Sequence, residues 1–120
     1  KYLQIHRQDL SGSRTLVCGD FNSNVRWDEP DRWWNHSDVV RELSDLGLLS
    51  MYHHHNKCAQ GAEVDQTYYM HRDLEKGYHI DYVFGSGNLM ADSSLSLCEA
   101  EEWIALSDHI PLVCNLSECL

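Results

Sequence analysis

The chain has 120 residues, and its 9 basic and 19 acidic residues give it a formal net charge of −10. This length suits one domain with a modest core, and no apolar stretch approaches the roughly 18 residues of a membrane span. The acidic balance argues against strong non-specific binding of nucleic acid, which normally depends on clustered Lys and Arg.

Five cysteines, an odd number without a Cys-x-x-Cys pair, favour reduced thiols over a disulfide framework. Cys18 and Cys114 lie in apolar runs, which indicates packing, and Cys119 near the end is the candidate for intermolecular oxidation. This cysteine usage favours a cytoplasmic location, and the sequence otherwise leaves the compartment open.

The first motif follows a short apolar run. Residues 15–18 predict a buried strand, and Gly19 ends it so that Asp20 and Asn22 are presented together at the strand end. Open sheets commonly bind ligands at such ends. The same Gly-Asp-Phe-Asn stretch is also typical of an ordinary Asx turn, in which both side chains only satisfy local backbone groups.

A polar and aromatic loop follows over residues 23–36, and it contains Trp27, Trp33 and Trp34. Loops of this length without regular structure are uncommon unless they bind something. We interpret the tryptophans mainly as anchors that pin the loop to the core. The alternative is that an exposed indole, with Trp33 as the candidate, binds substrate by stacking on a base or sugar.

The clearest helix is predicted over residues 37–46, where apolar side chains recur at helical spacing. Ser37 or Asp38 can cap its start, and Gly47 suits the C-terminal cap. Residues 48–52 then predict a strand.

Three consecutive histidines at positions 53–55, with Cys58 nearby, suggest a metal site. Consecutive side chains do not converge easily on one ion, however, and no second ligand pair stands at zinc-finger spacing. We therefore interpret the segment up to Asp65 as a polar surface loop, which could approach a phosphate if it folds over a cleft.

Residues 67–70 and 78–84 predict an antiparallel pair of strands with a charged connection. Alternation in the second strand places Asp81 on a face where packing would be expected. One more strand is predicted over residues 95–97 and the segment that follows to residue 104.

The last motif, Ser-Asp-His at residues 107–109, precedes an apolar strand over residues 110–116. Asp108 and His109 therefore stand at another strand boundary. Taken together, the elements predict an α+β fold with a mixed, largely antiparallel sheet and one main helix.

The motifs occur in the order Gly19-Asp20-Phe21-Asn22, His79-Ile80-Asp81-Tyr82 and Ser107-Asp108-His109. This ordered set resembles the endonuclease/exonuclease/phosphatase superfamily of metal-dependent phosphoesterases, over nearly the whole chain. The resemblance implies a nuclease-like hydrolase that uses Mg²⁺ or Mn²⁺ and cleaves a phosphodiester by attack of an activated water. It also implies that the fold is half of a four-layer α/β sandwich.

The resemblance gives a role to each matching residue. Asp20 would orient or deprotonate the attacking water, and Asn22 would hold that water or a non-bridging phosphate oxygen. Asp108 would stand at the metal site, while His109, oriented by Asp81, would contact the phosphoryl group and stabilise its charge. Phosphodiester cleavage needs these parts: a hard cation with oxygen ligands, an oriented water and hydrogen-bond donors.

The chain also departs from the family's pattern. Members carry an Asn and a metal-binding Glu in an N-terminal half, and nothing upstream of Gly19 supplies either. Residues 1–120 are therefore expected to form a single partial domain that matches the C-terminal half.

Such a half should expose an apolar sheet face, which predicts self-association or pairing with an N-terminal half. The alternative function is a catalytically inactive half-domain that acts in binding or assembly, because half a site holds a hard cation weakly. The family leaves the substrate open among DNA, RNA, a phosphorylated lipid and a small phosphodiester.

Overall fold

Short helices and strands alternate along residues 1–117, which are the residues that the computed structural model describes. The strands are β1 (Leu16–Asp20), β2 (Leu48–Ser50), β3 (Tyr68–Tyr69), β4 (Gly77–Tyr78), β5 (Asp81–Ser86), β6 (Ser93–Leu97) and β7 (Leu112–Leu116). The α-helices are α1 (Tyr2–Ile5), α2 (Arg7–Leu10), α3 (His36–Asp45), α4 (Met51–Asn56) and α5 (Ala100–Trp103).

The central sheet has three strands in the order β1-β5-β2, and β5 pairs antiparallel with both neighbours. Two smaller antiparallel pairs, β3 with β4 and β6 with β7, complete the strand pairing of the described residues. The α+β class predicted from the sequence is confirmed. In the register of β1 and β5, Asp20 lies opposite Asp81, so the pairing itself brings two carboxylates together.

Helix α3 covers one face of the central sheet, with Leu43 and Leu46 packed against Leu48, Tyr82 and Phe84. The helix begins one residue earlier than the sequence predicts. Its cap is Asn35, whose backbone N–H donates to the Asp38 carboxylate at 2.8 Å. Gly47 follows the helix with a φ of +80°, a left-handed conformation that costs glycine little.

The opposite face of the sheet carries a second core cluster of Met51, Val83 and Met90, onto which β6 and β7 pack. The packing of β6 and β7 on this face does not extend over β1. Leu16 is 38% exposed and Cys18 is also exposed, so the prediction that residues 15–18 form a buried strand is wrong. The cause is position, because β1 is an edge strand of the sheet and only Val17 and Phe21 turn toward α3.

Two other predictions of secondary structure are corrected. The strand expected over residues 48–52 stops at Ser50, and Met51 starts α4, which therefore carries the three histidines instead of a loop. The strand expected to continue from residue 97 to residue 104 is replaced by α5. The first segment is a mainly apolar run of about five residues, a length at which strand and helix are hard to distinguish by pattern. The second contains three glutamates and has no alternation that would favour a strand.

None of the helices in the described part of the chain is long and apolar enough to cross a bilayer. Within the same residues, Cys18, Cys58, Cys98 and Cys114 carry free thiols. Cys119 lies outside the described residues.

Candidate functional site

Asp20, Asp81 and His109 come together at one end of the central sheet. The Nδ1 atom of His109 lies 3.0 Å from Oδ2 of Asp81, and its Nε2 atom lies 3.9 Å from Oδ2 of Asp20. One potential ligand atom from each of the three residues falls within 4.8 Å of the others. The imidazole therefore stands between two carboxylates, with Asp81 at 16% side-chain exposure as the more buried partner.

Thr67 connects the two chain segments that carry Asp81 and His109. Its hydroxyl oxygen accepts the backbone N–H groups of Ile80 and Asp81, each at 3.0 Å, where β5 begins. Its carbonyl accepts the N–H of Ile110 at 2.7 Å, next to His109 in sequence. Thr67 is completely buried, and it thus fixes the distance between Asp81 and His109. Sequence reasoning missed this task, because a threonine inside a strand pattern carries no signal of its own.

Asp20 and Asn22 form the Asx turn that was one alternative from the sequence. The Asn22 backbone N–H donates to Asp20 Oδ1 at 2.7 Å, and Asn22 has a φ of +48°, which asparagine tolerates better than most residues. Both side chains nevertheless line a cleft beside His109. The turn and the presentation of both side chains at a site therefore occur together.

The cleft has a volume of about 580 Å³ and is lined by two kinds of side chain. The polar ones are Asp20, Asn22, Asp108 and His109. The others are mainly aromatic and apolar: Trp27, Tyr68, Met70, Tyr78 and Ile80. All of the catalytic and metal candidates except Asp81, which lies behind His109, thus face one space.

Trp33, the substrate-binding candidate, is not among the residues that line this cleft and is 91% exposed. Trp34 is half-buried beside Phe21 and Val39, as expected of an anchor. Trp27 lines the cleft instead. The loop of residues 23–36 does reach the site, but with a different tryptophan from the one that the sequence suggested.

The donor set fits a hard divalent cation. Mg²⁺ is usually held by one or two carboxylates together with water and substrate phosphate oxygens. Potential ligand atoms of Asp20, Asp81 and His109 lie within 4.8 Å of one another, although the Asp81 carboxylate is already bonded to His109. Asp108, the metal candidate from the sequence, lines the same cleft but is not part of this group. The carboxylates that could hold the ion are therefore Asp20, Asp81 and Asp108.

A buried polar network supports the loop that follows Asn22. Asn24 is 2% exposed, and its amide nitrogen lies 3.0 Å from the His79 carbonyl oxygen, 3.1 Å from Tyr82 Oη and 3.4 Å from Glu63 Oε2. Its Oδ1 accepts the N–H of Arg26 at 3.0 Å, which caps the 3₁₀ turn Val25–Trp27. One side chain thus joins this turn to the start of β5.

Glu63 is hydrogen-bonded to His53, with Oε1 2.7 Å from Nε2, and both side chains are almost fully buried. Burial raises the pKa of Glu63, but hydrogen bonds from the Gly61 backbone and from His53 outweigh it, so the pKa lies below its ordinary value. Of the three consecutive histidines only His53 points inward, and His54 and His55 are exposed on α4. The three do not converge on a metal ion, as the sequence indicated.

Two further histidines are buried near this network. Burial lowers the pKa of His36 and of His79 below the ordinary histidine value. His36 is bonded to Ser23 and Gln60, and the Nδ1 atom of His79 lies 2.8 Å from the Asp65 carbonyl oxygen. Both side chains serve the packing of the loops around the site.

Comparison with known proteins agrees with the geometry. No curated protein sequence matches the chain significantly. The profile of the Endonuclease/Exonuclease/phosphatase family matches residues 2–109, a span that contains all three motifs and every residue of the cleft. Members of this family are generally phosphoesterases that depend on a divalent metal. The chain belongs to the endonuclease/exonuclease/phosphatase family.

Proposed function

We propose that the chain is a nuclease-like phosphodiesterase that uses Mg²⁺ or Mn²⁺ and cleaves a phosphodiester by attack of an activated water. The observation that carries the proposal is the Asp81–His109–Asp20 arrangement at a cleft that also presents Asn22 and Asp108. A carboxylate, an oriented imidazole and amide donors around one space are the groups that this reaction needs.

His109 acts on the phosphoryl group through Nε2. Because Nδ1 is bonded to Asp81, the ring is fixed with Nε2 directed toward the cleft and Asp20. As the imidazolium, with a proton on each ring nitrogen, it donates a hydrogen bond from Nε2 to a phosphoryl oxygen and stabilises the charge that builds up on it. Asp81 is a positioning residue, since it acts by orienting the imidazole.

Asp20 accepts the proton of the attacking water. Its carboxylate is 45% exposed at the cleft, and the bond from the Asn22 backbone holds its other oxygen in place. The Asn22 amide binds the water or a non-bridging phosphate oxygen. Asp108 would hold a divalent cation, which would supply Lewis-acid polarisation and offset the acidic character of the site.

The test is hydrolysis of bis(p-nitrophenyl) phosphate and of single-stranded DNA with Mg²⁺ or Mn²⁺. Asp20→Asn and His109→Gln should each lower kcat about 100-fold or more. Asp31→Asn, which removes an exposed carboxylate elsewhere in the same loop region, should change nothing. Activity that survives both site variants contradicts the proposal. Absence of metal-dependent activity in the wild type favours the alternative, an inactive half-domain that acts in binding or assembly.

We also propose that the chain pairs with a second polypeptide segment across the exposed side of β1, as expected of a partial domain. A groove of about 530 Å³ lies there, and its apolar walls come from Leu16, Val83, Leu112 and Trp103. Burying such a surface against a second copy, or against an N-terminal half, removes it from water.

Light scattering after size exclusion tests the pairing. The molar mass measured for the wild type should exceed that of the monomer, whereas Leu16→Glu should be monomeric. Val64→Glu changes an 83% exposed site away from the groove and should behave as wild type. A monodisperse wild-type monomer that binds no apolar dye contradicts self-association.

A further inference from the structure

The wall of the cleft that the proposed reaction does not use is a row of aromatic rings leading away from His109. The Tyr68 ring centroid lies 4.8 Å from that of His109 and 6.3 Å from that of Tyr78. Trp27 continues the row, with its centroid 5.4 Å from that of Tyr78. The aromatic surface thus begins at the catalytic imidazole and extends to the rim.

The rings are held on fixed backbone. Tyr68 and Tyr78 lie opposite each other in the β3–β4 pair, and Trp27 ends the 3₁₀ turn that Asn24 caps from the buried network. The row is therefore formed before any substrate arrives, and a ligand that stacks on it does not have to order it.

A cation stands over the outer end of the row. The guanidinium carbon of Arg26 lies 5.8 Å from the Trp27 ring centroid and 5.5 Å from that of Tyr78. None of the ion pairs among residues 1–117 includes Arg26, although the chain carries ten more negative than positive charges. An arginine in this position can meet an anionic group of a ligand whose flat part lies on the rings.

Trp27 is not buried as an anchor of the loop would be. It remains 40% exposed on the cleft wall and is not among the side chains packed against the two core clusters. An amphipathic aromatic surface beside a phosphate-handling group favours a flat π-system over an aliphatic chain.

We infer that the cleft binds a nucleotidyl phosphodiester whose unpaired base stacks on the Trp27–Tyr78 end of the aromatic row, with its scissile phosphate at His109 and Asp20. This inference rests on the proposed function and names the substrate class of the same site. The base must be unpaired, because a base within a duplex is already stacked on its neighbours.

Two esters with the same leaving group test the inference in catalysis: thymidine 5′-(p-nitrophenyl phosphate) and methyl p-nitrophenyl phosphate. Base stacking is worth about a tenfold preference or more in kcat/KM. Trp27→Ala should remove that preference by slowing only the nucleoside ester. The control Trp33→Ala, which removes the more exposed neighbouring indole, should leave both rates unchanged. Equal rates for the two esters in the wild type overturn the inference.

A binding measurement keeps the test independent of catalysis. Calorimetry with Mg²⁺ present compares thymidine 5′-monophosphate with 2-deoxyribose 5-phosphate, which lacks the base. The nucleotide should bind about tenfold more tightly, and Trp27→Ala should abolish the difference. If this holds but neither ester is hydrolysed, the proposed function fails and the inference stands. No preference for the base, including binding of neither compound, overturns the inference.

The strand state of the ligand is tested by competition. Single-stranded oligothymidylate should compete with the mononucleotide, and a duplex of the same length should not. Equal competition by the duplex overturns the requirement for an unpaired base.

Discussion

Replacement of Asn24 tests whether the buried network behind the cleft holds the loop in place. The residue lies two positions after Asn22, and its amide joins the loop to the start of β5 and to Glu63. We expect Asn24→Ala to lower the free energy of unfolding and to weaken catalysis through displacement of the turn.

The magnitude follows from the hydrogen bonds that remain. Without Asn24, the single Tyr82 hydroxyl hydrogen must serve either the Ser23 or the His79 carbonyl, each 3.0 Å away, and the other is left without a donor. An unsatisfied buried carbonyl costs about 1–3 kcal/mol. Loss of the cap on the Arg26 N–H adds about 1 kcal/mol. The total of about 2–4 kcal/mol corresponds to a fall in Tm of roughly 8–16 °C for a domain of this size.

Asn24→Asp is the matched variant, because it keeps the capping oxygen but places a carboxylate oxygen where the amide nitrogen lies 3.4 Å from Glu63. Thermal unfolding followed by circular dichroism at pH 7.5 should give a lower Tm for this variant than for Asn24→Ala, because two buried like charges repel. The gap should narrow at pH 5.5 as one carboxylate becomes protonated. An alanine variant within 2 °C of wild type, or an aspartate variant more stable than it at pH 7.5, would refute the reasoning.

Two further predictions concern stability. Burial lowers the pKa of His36 and of His79 in the folded chain. Below about pH 6.5 the unfolded chain therefore binds protons at these residues more readily than the folded chain does. The contribution of the neutral imidazoles to the free energy of unfolding is complete above that pH and is lost as the pH falls below it. Tm should fall from pH 7.5 to 5.5, and by less in His79→Gln; equal losses would count against this. Gly61→Ala should lower Tm more than Gly47→Ala, since both have left-handed φ but only at Gly61 would the new Cβ meet a side chain, Val25 Cγ1 at 2.6 Å. Similar effects at the two glycines would show that the contact relaxes freely.

The elements with clear periodicity could be predicted from the sequence. Helix α3 follows its apolar spacing, because its apolar stripe must be buried. In β5, Tyr82 and Phe84 join one core cluster and Val83 joins the other, as the alternation predicted, but both faces are buried and the strand begins only at Asp81. The exposure of β1 could not be predicted, since an edge strand and a central strand carry the same apolar residues. The start of α4 at Met51 was missed for a similar reason, because its apolar residues are buried equally well in a strand or in a helix.

At the candidate site, the sequence placed Asp20 and His109 at strand boundaries and Asp81 on one face of the strand predicted over residues 78–84. The structure brings these three together. Their assigned roles stay predictions. Trp27 rather than Trp33 lines the cleft, and this depends on the path of an irregular loop, whose sequence has no periodic pattern from which that path could be predicted. Nothing in the sequence indicated Glu63, because its hydrogen-bond partner, His53, lies on a different element, helix α4.

His109 forms the partition between two spaces of opposite character, since it lines both the polar cleft and the apolar groove, and Asp81 lies on the groove side. Whatever covers the groove therefore removes solvent from one side of the imidazole–carboxylate pair and leaves the cleft side wet. A hydrogen bond between charged groups strengthens as the local dielectric constant falls. If the proposed pairing covers the groove, the hydrogen bond between Asp81 and His109 should therefore be stronger in the assembly than in the free chain, although no residue from the partner needs to enter the cleft.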